Sequence, residues 1–342
     1  MTKHDQGWLA RIVVSGVTAL MTTPLCADAV VEPRTQPIWR VAPLELSAHD
    51  LRINSGASAY QAWHENVSWS GDLREWLIDA AGKISPGGWS AQQRYTEMER
   101  EAPADFPYWQ QREIITRSAG GVQIPFRWEQ LSTSQQAALA RNPDDPDAPY
   151  DGRAIVRFVR GERSNELPGG NYRFRSHALG DMLHSTPLYI GPPGDDAISD
   201  PSHAAYRAAN GERPGRIYVG ANDGMLHAFD AADGALLYSY IPSMLIPRLN
   251  RLAQPAYRHR SYVDGGLSSS DVKVGTAWKT LLTGALGAGG KGLFLLDVSD
   301  GEAHDGTIEW EFAADEDIGH IHGAPLLTML PGGDAAVVVS GN

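Results

Sequence analysis

The stretch Arg216-Ile217-Tyr218-Val219-Gly220-Ala221-Asn222-Asp223-Gly224-Met225-Leu226-His227-Ala228-Phe229-Asp230-Ala231-Ala232-Asp233-Gly234-Ala235-Leu236-Leu237-Tyr238 reads as strand, turn, strand, turn, strand. Asn222-Asp223-Gly224 supplies residues that tolerate positive φ in a tight hairpin, and Asp233-Gly234 supplies them for the next. Between the turns Leu226 and Ala228 alternate with His227 and Phe229, the period of a half-buried strand. Stacked β units repeat their turn chemistry, so the question is whether this unit recurs.

It does. Gly289-Gly290-Lys291-Gly292 followed by Leu293 to Val298, Asp300-Gly301 and Ile308 to Phe312 is one copy, and Val67 to Leu77 followed by Asp79 to Gly82 is a degenerate one. A second element also repeats. His184-Ser185-Thr186-Pro187-Leu188-Tyr189-Ile190-Gly191 precedes the clear unit, and His322 to Leu327 precedes Ala336 to Asn342, which matches Ile217 to Asn222 type by type. These copies predict an all-β fold, a β-propeller that forms an incomplete ring over 67–342. The last run stops where the next Asp-Gly turn should begin, leaving an apolar strand edge of the kind soluble proteins avoid, so the expectation is a truncated chain or gene fragment.

Other segments interrupt the repeat. Residues 30–66 read as an extended N-terminal segment, and insertions are expected at about 83–150, 192–214 and 243–275. The first insertion carries a predicted helix from Ser132 to Asn142, with Ser or Thr as cap and Pro143 as stop, and 142–151 reads as a loop. Seven of the ten tryptophans fall between Trp39 and Trp128, where core and interblade packing is the plain reading and stacking on a sugar or other ligand the alternative.

Composition fits this plan. The 342 residues are 42% hydrophobic and 20% charged, and Gly 36 with Pro 22 favours tight turns over long helices. A formal charge of −12 without a clustered basic stretch argues against a general nucleic-acid binder. Residues 1–29 read as a secretory signal: Lys3 and Arg11, an apolar stretch from Ile12 to Leu25, and a cleavage site at Ala27-Asp28-Ala29. Cys26 is the single cysteine and lies inside it, so the expected mature chain has no disulfide, no thiol nucleophile and no cysteine-bound zinc. No other segment is apolar and long enough to cross a bilayer.

Three runs then stand out: Ile155 to Glu166, Tyr172 to Arg175, and Leu179-Gly180-Asp181-Met182-Leu183-His184-Ser185-Thr186-Pro187. They are followed in order by Tyr218 to Asp230 with Asn222-Asp223-Gly224, by His259-Arg260-Ser261-Tyr262-Val263-Asp264-Gly265, and by Gly284-Ala285-Leu286-Gly287-Ala288-Gly289-Gly290-Lys291-Gly292. This ordered set resembles the propeller of the PilC/PilY-type type IV pilus proteins, with a weaker match reaching back to Trp69. The resemblance implies an exported, non-enzymatic pilus biogenesis factor of the periplasm, outer-membrane surface or pilus tip. Its implied partners are minor pilins or other pilus components, with host or surface ligands as further candidates. The family's large N-terminal domain has no counterpart here, since only about 37 residues separate the expected cleavage site from Val67.

The resemblance also implies calcium, through a loop of alternating aspartates around a glycine. Asp144-Asp145-Pro146-Asp147, Asp195-Asp196 and Asp315-Glu316-Asp317 lack that spacing and read as solvated loops, which places the implied calcium site after Asn342 and no cofactor or metal within the chain. Gly180, Asp181, His184, Ser185, Pro187, Asn222, Asp223, Gly224, Asp230, His259, Asp264, Gly265, Gly287, Gly289, Gly290 and Gly292 are the family-motif positions. Asp and His near strand ends are expected to satisfy backbone groups. Gly284 to Gly292 runs into a strand, not a helix, so close approach of backbones is its expected purpose and phosphate binding is not. Two other readings of a propeller remain: a quinoprotein dehydrogenase, whose adjacent cysteine pair is missing, and an outer-membrane assembly scaffold, which would show more regular repeats.

Overall fold

The computed structural model describes residues 57–145, 147–194, 198, 200–301, 306–313, 318–330 and 335–340, preceded by the backbone of three short strands at Arg11–Val14, Trp39–Val41 and Glu45–Leu46. In the clear unit, Arg216–Gly220, Leu226–Asp230 and Leu236–Tyr240 form successive antiparallel strands, with Leu188–Ile190 on the far side of Arg216–Gly220. Gly224 at φ +94° and Gly234 at φ +73° take the left-handed positions at the two turns. Asp230 Oδ1 accepts from Ala232 N at 2.7 Å and Asp233 Oδ1 from Ala235 N at 2.8 Å, which closes the second turn.

The same up-and-down order builds the next sheet from Leu267–Val274, Ala277–Ala285, Gly292–Asp297 and Thr307–Ala313. An earlier sheet holds Ala57–Glu65, Ser70–Ile78 and Ile84–Ser90, and a later one pairs Leu326–Met329 with Ala335–Val339. In each of the three fuller sheets the register shifts between the last two strands: at Arg74/Trp76, at Ala228/Phe229 and at Leu295/Leu296. A bulge at the equivalent place deepens the local twist of each blade, so the repeat extends to an irregularity that no turn motif announces.

Successive blades bury both faces of their inner strands. Ile217, Val219 and Phe229 pack with Tyr60, Leu73 and Leu179 of the preceding side, whereas Tyr218, Leu226 and Tyr240 pack with Leu282, Phe294 and Leu296 of the following one. Leu293 and Leu295 then turn to Leu327, Val337 and Val339. Side chains alternate across a strand, so burial on both sides requires the near-continuous apolar runs seen here. Each fully buried Leu or Phe contributes about 1.5–3 kcal/mol relative to exposure.

Several expected boundaries move. The first blade begins within 30–66, because Ala57–Glu65 is a nine-residue strand registered along all of Ser70–Ile78. Its hairpin was hidden because the residue in the left-handed conformation is Trp69, at φ +55°, where glycine is the usual signal. The region 83–150 is only partly an insertion. Ile84–Ser90 completes the first sheet, and Ile114–Arg117 runs parallel to Leu236–Tyr240, extending the second sheet and covering its edge together with Gln123–Pro125. Likewise 243–275 ends in Leu267–Val274, the opening strand of the third sheet. The predicted helix at Ser132 is present as Thr133–Leu139, with Ser132 and Gln135 in a capping box.

A further helix, Gly152–Arg160, lies in what reads from sequence as the lead-in to the propeller. Asp151 caps it by accepting from Arg153 N and Ala154 N, and Gly161 at φ +114° ends it. The expected leader at 1–29 falls outside the described residues apart from Arg11–Val14, whose backbone pairs parallel with Ala335–Val339. Among the described residues no helix is long and apolar enough to cross a membrane.

Glycine sets the separation of the first two blades. Gly71 N donates to Leu179 O at 3.0 Å, and a Cβ on Gly180 would stand 2.5 Å from Asp223 N. Gly180→Ala is expected to cost about 1–3 kcal/mol through forced backbone displacement. Gly169→Ala, where a Cβ meets nothing within 4 Å, should stay within about 0.5 kcal/mol of the parent. Urea unfolding of the two variants checks this, and equal midpoints would contradict it.

Candidate functional site

The separate sequence motifs meet at the inner ends of the blades. Asn222, in the tight turn after Arg216–Gly220, is almost wholly buried. Its Nδ2 donates to Asp181 Oδ2 at 2.8 Å and, more weakly, to Asp264 Oδ1 at 3.4 Å. Its Oδ1 accepts from Tyr262 N at 2.9 Å, and its own backbone N–H donates to Asp181 O at 2.9 Å. One side chain thus ties the 179–187 segment to the 259–265 segment.

Each carboxylate then holds a histidine. His259 Nε2 lies 2.8 Å from Asp181 Oδ2, and His184 Nδ1 lies 2.8 Å from Asp264 Oδ2, while His184 N also donates to Asp264 Oδ1 at 3.1 Å. Both aspartates are buried, whereas the His184 side chain is 67% exposed. Ser185 Oγ accepts from Gly220 N at 2.8 Å. It is engaged with backbone and not with either histidine, so no nucleophile–base pair forms here.

A third carboxylate sits behind this cluster. Asp223 Oδ2 accepts from Gly180 N at 3.0 Å and meets His227 Nε2 at 2.9 Å, and the other ring nitrogen of His227 meets Ser239 Oγ at 2.9 Å. Burial works to raise the Asp223 carboxyl, but the His227 ring beside it and the Gly180 N–H outweigh this and hold it below its ordinary value. Arg112, also buried, donates to Arg160 O at 2.8 Å and to Ser239 Oγ at 3.4 Å, closing the network against the helical excursion.

Glycines bring the next blade to the same place. A Cβ on Gly289 would fall 1.7 Å from Tyr262 O, and one on Gly265 would fall 2.4 Å from Ala285 O. Asp264 N donates to Leu286 O at 3.2 Å, and Gly287 O lies 2.8 Å from His320 Nδ1. The Gly284 to Gly292 run therefore makes a close backbone approach and then enters the strand Gly292–Asp297.

Beside the cluster lies a cavity of about 720 Å³ between the turn at 66–69, the 167–177 segment and the 255–257 segment. The Trp69 ring forms part of its wall and stacks on His259 with centroids 3.8 Å apart. Glu65 lies in another wall, accepting from Ser68 Oγ at 2.7 Å, Ser68 N at 3.0 Å and both Ser70 Oγ and Ser176 Oγ at 3.3 Å. Burial pushes its carboxyl up, and the Ser68 hydroxyl and N–H, the Val67 N–H and the Ser70 hydroxyl together bring it below the ordinary value.

Of the positions singled out from sequence, Gly180, Asp181, His184, Ser185, Asn222, Asp223, Gly224, His259, Asp264, Gly265, Gly287 and Gly289 converge here. Asp230 stands apart, closing the turn at Asp230–Gly234, and a Cβ on Gly292 would meet Met244 Sδ instead. Trp69, Arg112, His227 and Ser239 were not foreseen. For His227 a signal existed, since it follows Asp223 by four residues in a strand whose neighbours are all apolar. Asp195-Asp196 and Asp315-Glu316-Asp317 lie outside the described residues. Around Asp144 to Asp147, Asp145 Oδ1 accepts from Asp147 N at 3.1 Å in a local turn, and Asp144 Oδ1 accepts from Gln254 Nε2. Among the described residues no group of three or more His, Cys, Asp or Glu side chains is placed to hold a metal ion.

Two acid-sensitive groups give tests of the interblade packing. His177 Nδ1 accepts from Leu179 N at 3.2 Å, and burial pushes this imidazole down to about 4. The unfolded chain takes up the proton near the ordinary 6.5, so stability falls as the pH drops from about 6.5 to 4, by about 3 kcal/mol. His177→Gln should remove most of that slope in pH-dependent urea unfolding. Asp223 acts lower: its stabilisation is present above about pH 4 and lost on further acidification. Asp223→Asn is expected to cost about 3 kcal/mol at neutral pH, measured the same way, because it breaks one side of a buried pair.

A family model described as the PilY1 beta-propeller domain matches residues 179–329, the span that holds almost every residue of this cluster. The type IV pilus biogenesis factor PilY1 of Pseudomonas aeruginosa strain PAK is 35% identical over 296 residues, covering 82% of this chain and 24% of that protein. A PilY1 homolog of Xylella fastidiosa is 35% identical over 267 residues, covering 75% of this chain and 19% of its own length. The crystal structure of the P. aeruginosa PilY1 C-terminal domain aligns at 34% identity with a TM-score of 0.37, over 44% of this chain and 30% of that one. The chain thus spans about a fifth to a quarter of the length of the curated relatives it matches. With the propeller motifs in family order and gathered at one place in the fold, this chain carries, at residues 179–329, the PilY1 β-propeller domain of the PilC/PilY-type type IV pilus proteins.

Proposed function

We propose that this protein is a type IV pilus biogenesis factor that works by protein recognition. The single observation that carries the reading is the match of residues 179–329 to the PilY1 propeller, because that span contains the interlocked motifs and not merely generic strands. The blades hold rigid platforms, and the loops between strands carry the variable contact surface. Minor pilins or other pilus components are the proposed partners, and the exported compartment, periplasm or outer surface, is the proposed location. The side chains most suggestive of chemistry, Asp181, Asp223, Asp264 and Ser185, are engaged by Asn222, histidines and backbone N–H groups. We therefore assign them to architecture and read the protein as a non-enzyme. Calcium binding, which the family resemblance implies, is proposed only for sequence outside the described residues.

Deletion of the gene in its host is expected to reduce pilin sheared from the cell surface and to abolish pilus-dependent surface movement. Reintroduction of the parent gene should restore both, whereas an Asn222→Ala version should restore neither. Wild-type surface pilin in the deletion strain would overturn the reading.

A further inference from the structure

Arg173 is a buried guanidinium, 7% exposed, in the wall of the cavity beside Trp69. Its Nε donates to Leu252 O at 2.7 Å and its Nη1 to Ser68 O at 3.2 Å, and one face lies 4.0 Å from the centre of the Tyr257 ring. Its Nη2 has no acceptor among the described residues, and no carboxylate touches it. The acidic groups that act on it through space are committed elsewhere: Glu166 to Arg175 at 2.7 Å, and Asp181 to His259 and Asn222. Buried charges in proteins are ordinarily paired, so a buried cation with a donor left over in a cavity wall points to an anion that enters from outside.

The rest of the cavity selects what that anion is attached to. Val67, Phe174 and Leu167 line it and are 59%, 55% and 38% exposed, three large apolar side chains gathered into one rim. Trp69 and Tyr257 supply aromatic walls, and Trp69 is held in a left-handed backbone conformation that a bulky side chain adopts only where its surroundings fix it. The other charged group of the wall, Glu65, has its oxygens taken up by the Ser68, Ser70 and Ser176 donors, and His177 is neutral at physiological pH. A volume of about 720 Å³ is that of a site for a small organic ligand or one or two residues of a peptide.

We propose that this cavity binds an organic carboxylate with an apolar or aromatic body, the carboxylate on Arg173 and the body against Val67, Leu167 and Phe174. The C-terminal residue of a peptide and a free aromatic acid share this chemistry. The site is argued from its lining alone and stands apart from the pilus reading.

Titration calorimetry of the full chain tests it with four probes: Gly-Gly-Phe, its C-terminal amide, 3-phenylpropionate and methyl β-galactoside. The free acids should bind, and the amide should bind at least about 10-fold more weakly, since a charge-assisted hydrogen bond is lost. Tighter binding of Gly-Gly-Phe than of 3-phenylpropionate assigns the site to peptide termini, and the reverse order assigns it to free acids; both support the proposal. Arg173→Gln should abolish the preference for acid over amide. Because Arg173 is buried and that variant could fail to fold, the exposed-rim variant Leu167→Ser/Phe174→Ser provides an independent arm and should weaken the acids about 3- to 10-fold with an unchanged melting curve. Equal affinity for acid and amide, unaltered binding in the rim variant, binding of the galactoside in place of the acids, or no binding of any probe at millimolar concentration would each overturn it.

Discussion

A primary amide in a tight turn holds this propeller segment in register. Asn222 offers two N–H donors and one carbonyl, and the fold spends all three: two carboxylates from loops about forty residues away on either side in sequence, and the Tyr262 backbone N–H. No other side chain of this size both donates to two acceptors and accepts from a third group. Aspartate would set a third negative charge against Asp181 and Asp264, and serine would lack the reach and the second donor. The dependence is geometric as much as energetic, because the loops so joined deliver His184 and His259, and His259 in turn carries Trp69.

Close backbone approach makes that meeting possible. Gly71, Gly180, Gly265 and Gly289 each sit where a Cβ would strike a neighbouring main chain, so the blades touch backbone to backbone at their inner ends. Along the strands, Ile217, Val219, Phe294 and their neighbours fill the space between sheets. Glycine serves where backbones touch, and large apolar residues serve where the faces of two sheets meet. The register shift repeated in three sheets adds local twist at corresponding strand pairs.

Much of this was legible in sequence because propeller turns have strong local chemistry. Asn222-Asp223-Gly224 and Asp233-Gly234 announce their hairpins within a few residues, and the two-faced burial of Ile217 to Val219 or Leu293 to Leu296 leaves apolar runs that read as strands. The first blade was less legible since its turn at 66–69 places Trp69 where glycine is expected, and the strand Ala57–Glu65 mixes small, polar and aromatic residues without clean alternation. Ile114–Arg117 was invisible for a different reason: it joins the second sheet by a parallel, long-range pairing with Leu236–Tyr240, which leaves no signature in either segment. The candidate site shows the same division. Motif residues could be named, but their mutual hydrogen bonds join positions 40 or 80 apart, and the unpaired donor of Arg173 exists only once Leu252, Ser68 and Tyr257 have taken their places around it.

The cluster and the cavity share a wall, and that sharing constrains how the molecule behaves. Trp69 stacks on His259, His259 is fixed by Asp181, and Asp181 is fixed by Asn222, so the aromatic face of the cavity is anchored to the interblade lock through three consecutive contacts. Arg173 reaches the same turn from the other side, donating to Ser68 O next to Trp69 and to Leu252 O, so both walls hang on the 66–69 turn. Arg173 thereby already ties the first blade's hairpin to the 252–257 segment, through Ser68 O, Leu252 O and the Tyr257 ring. A rigid, prepaid arrangement of this kind favours recognition, because little ordering remains to oppose binding.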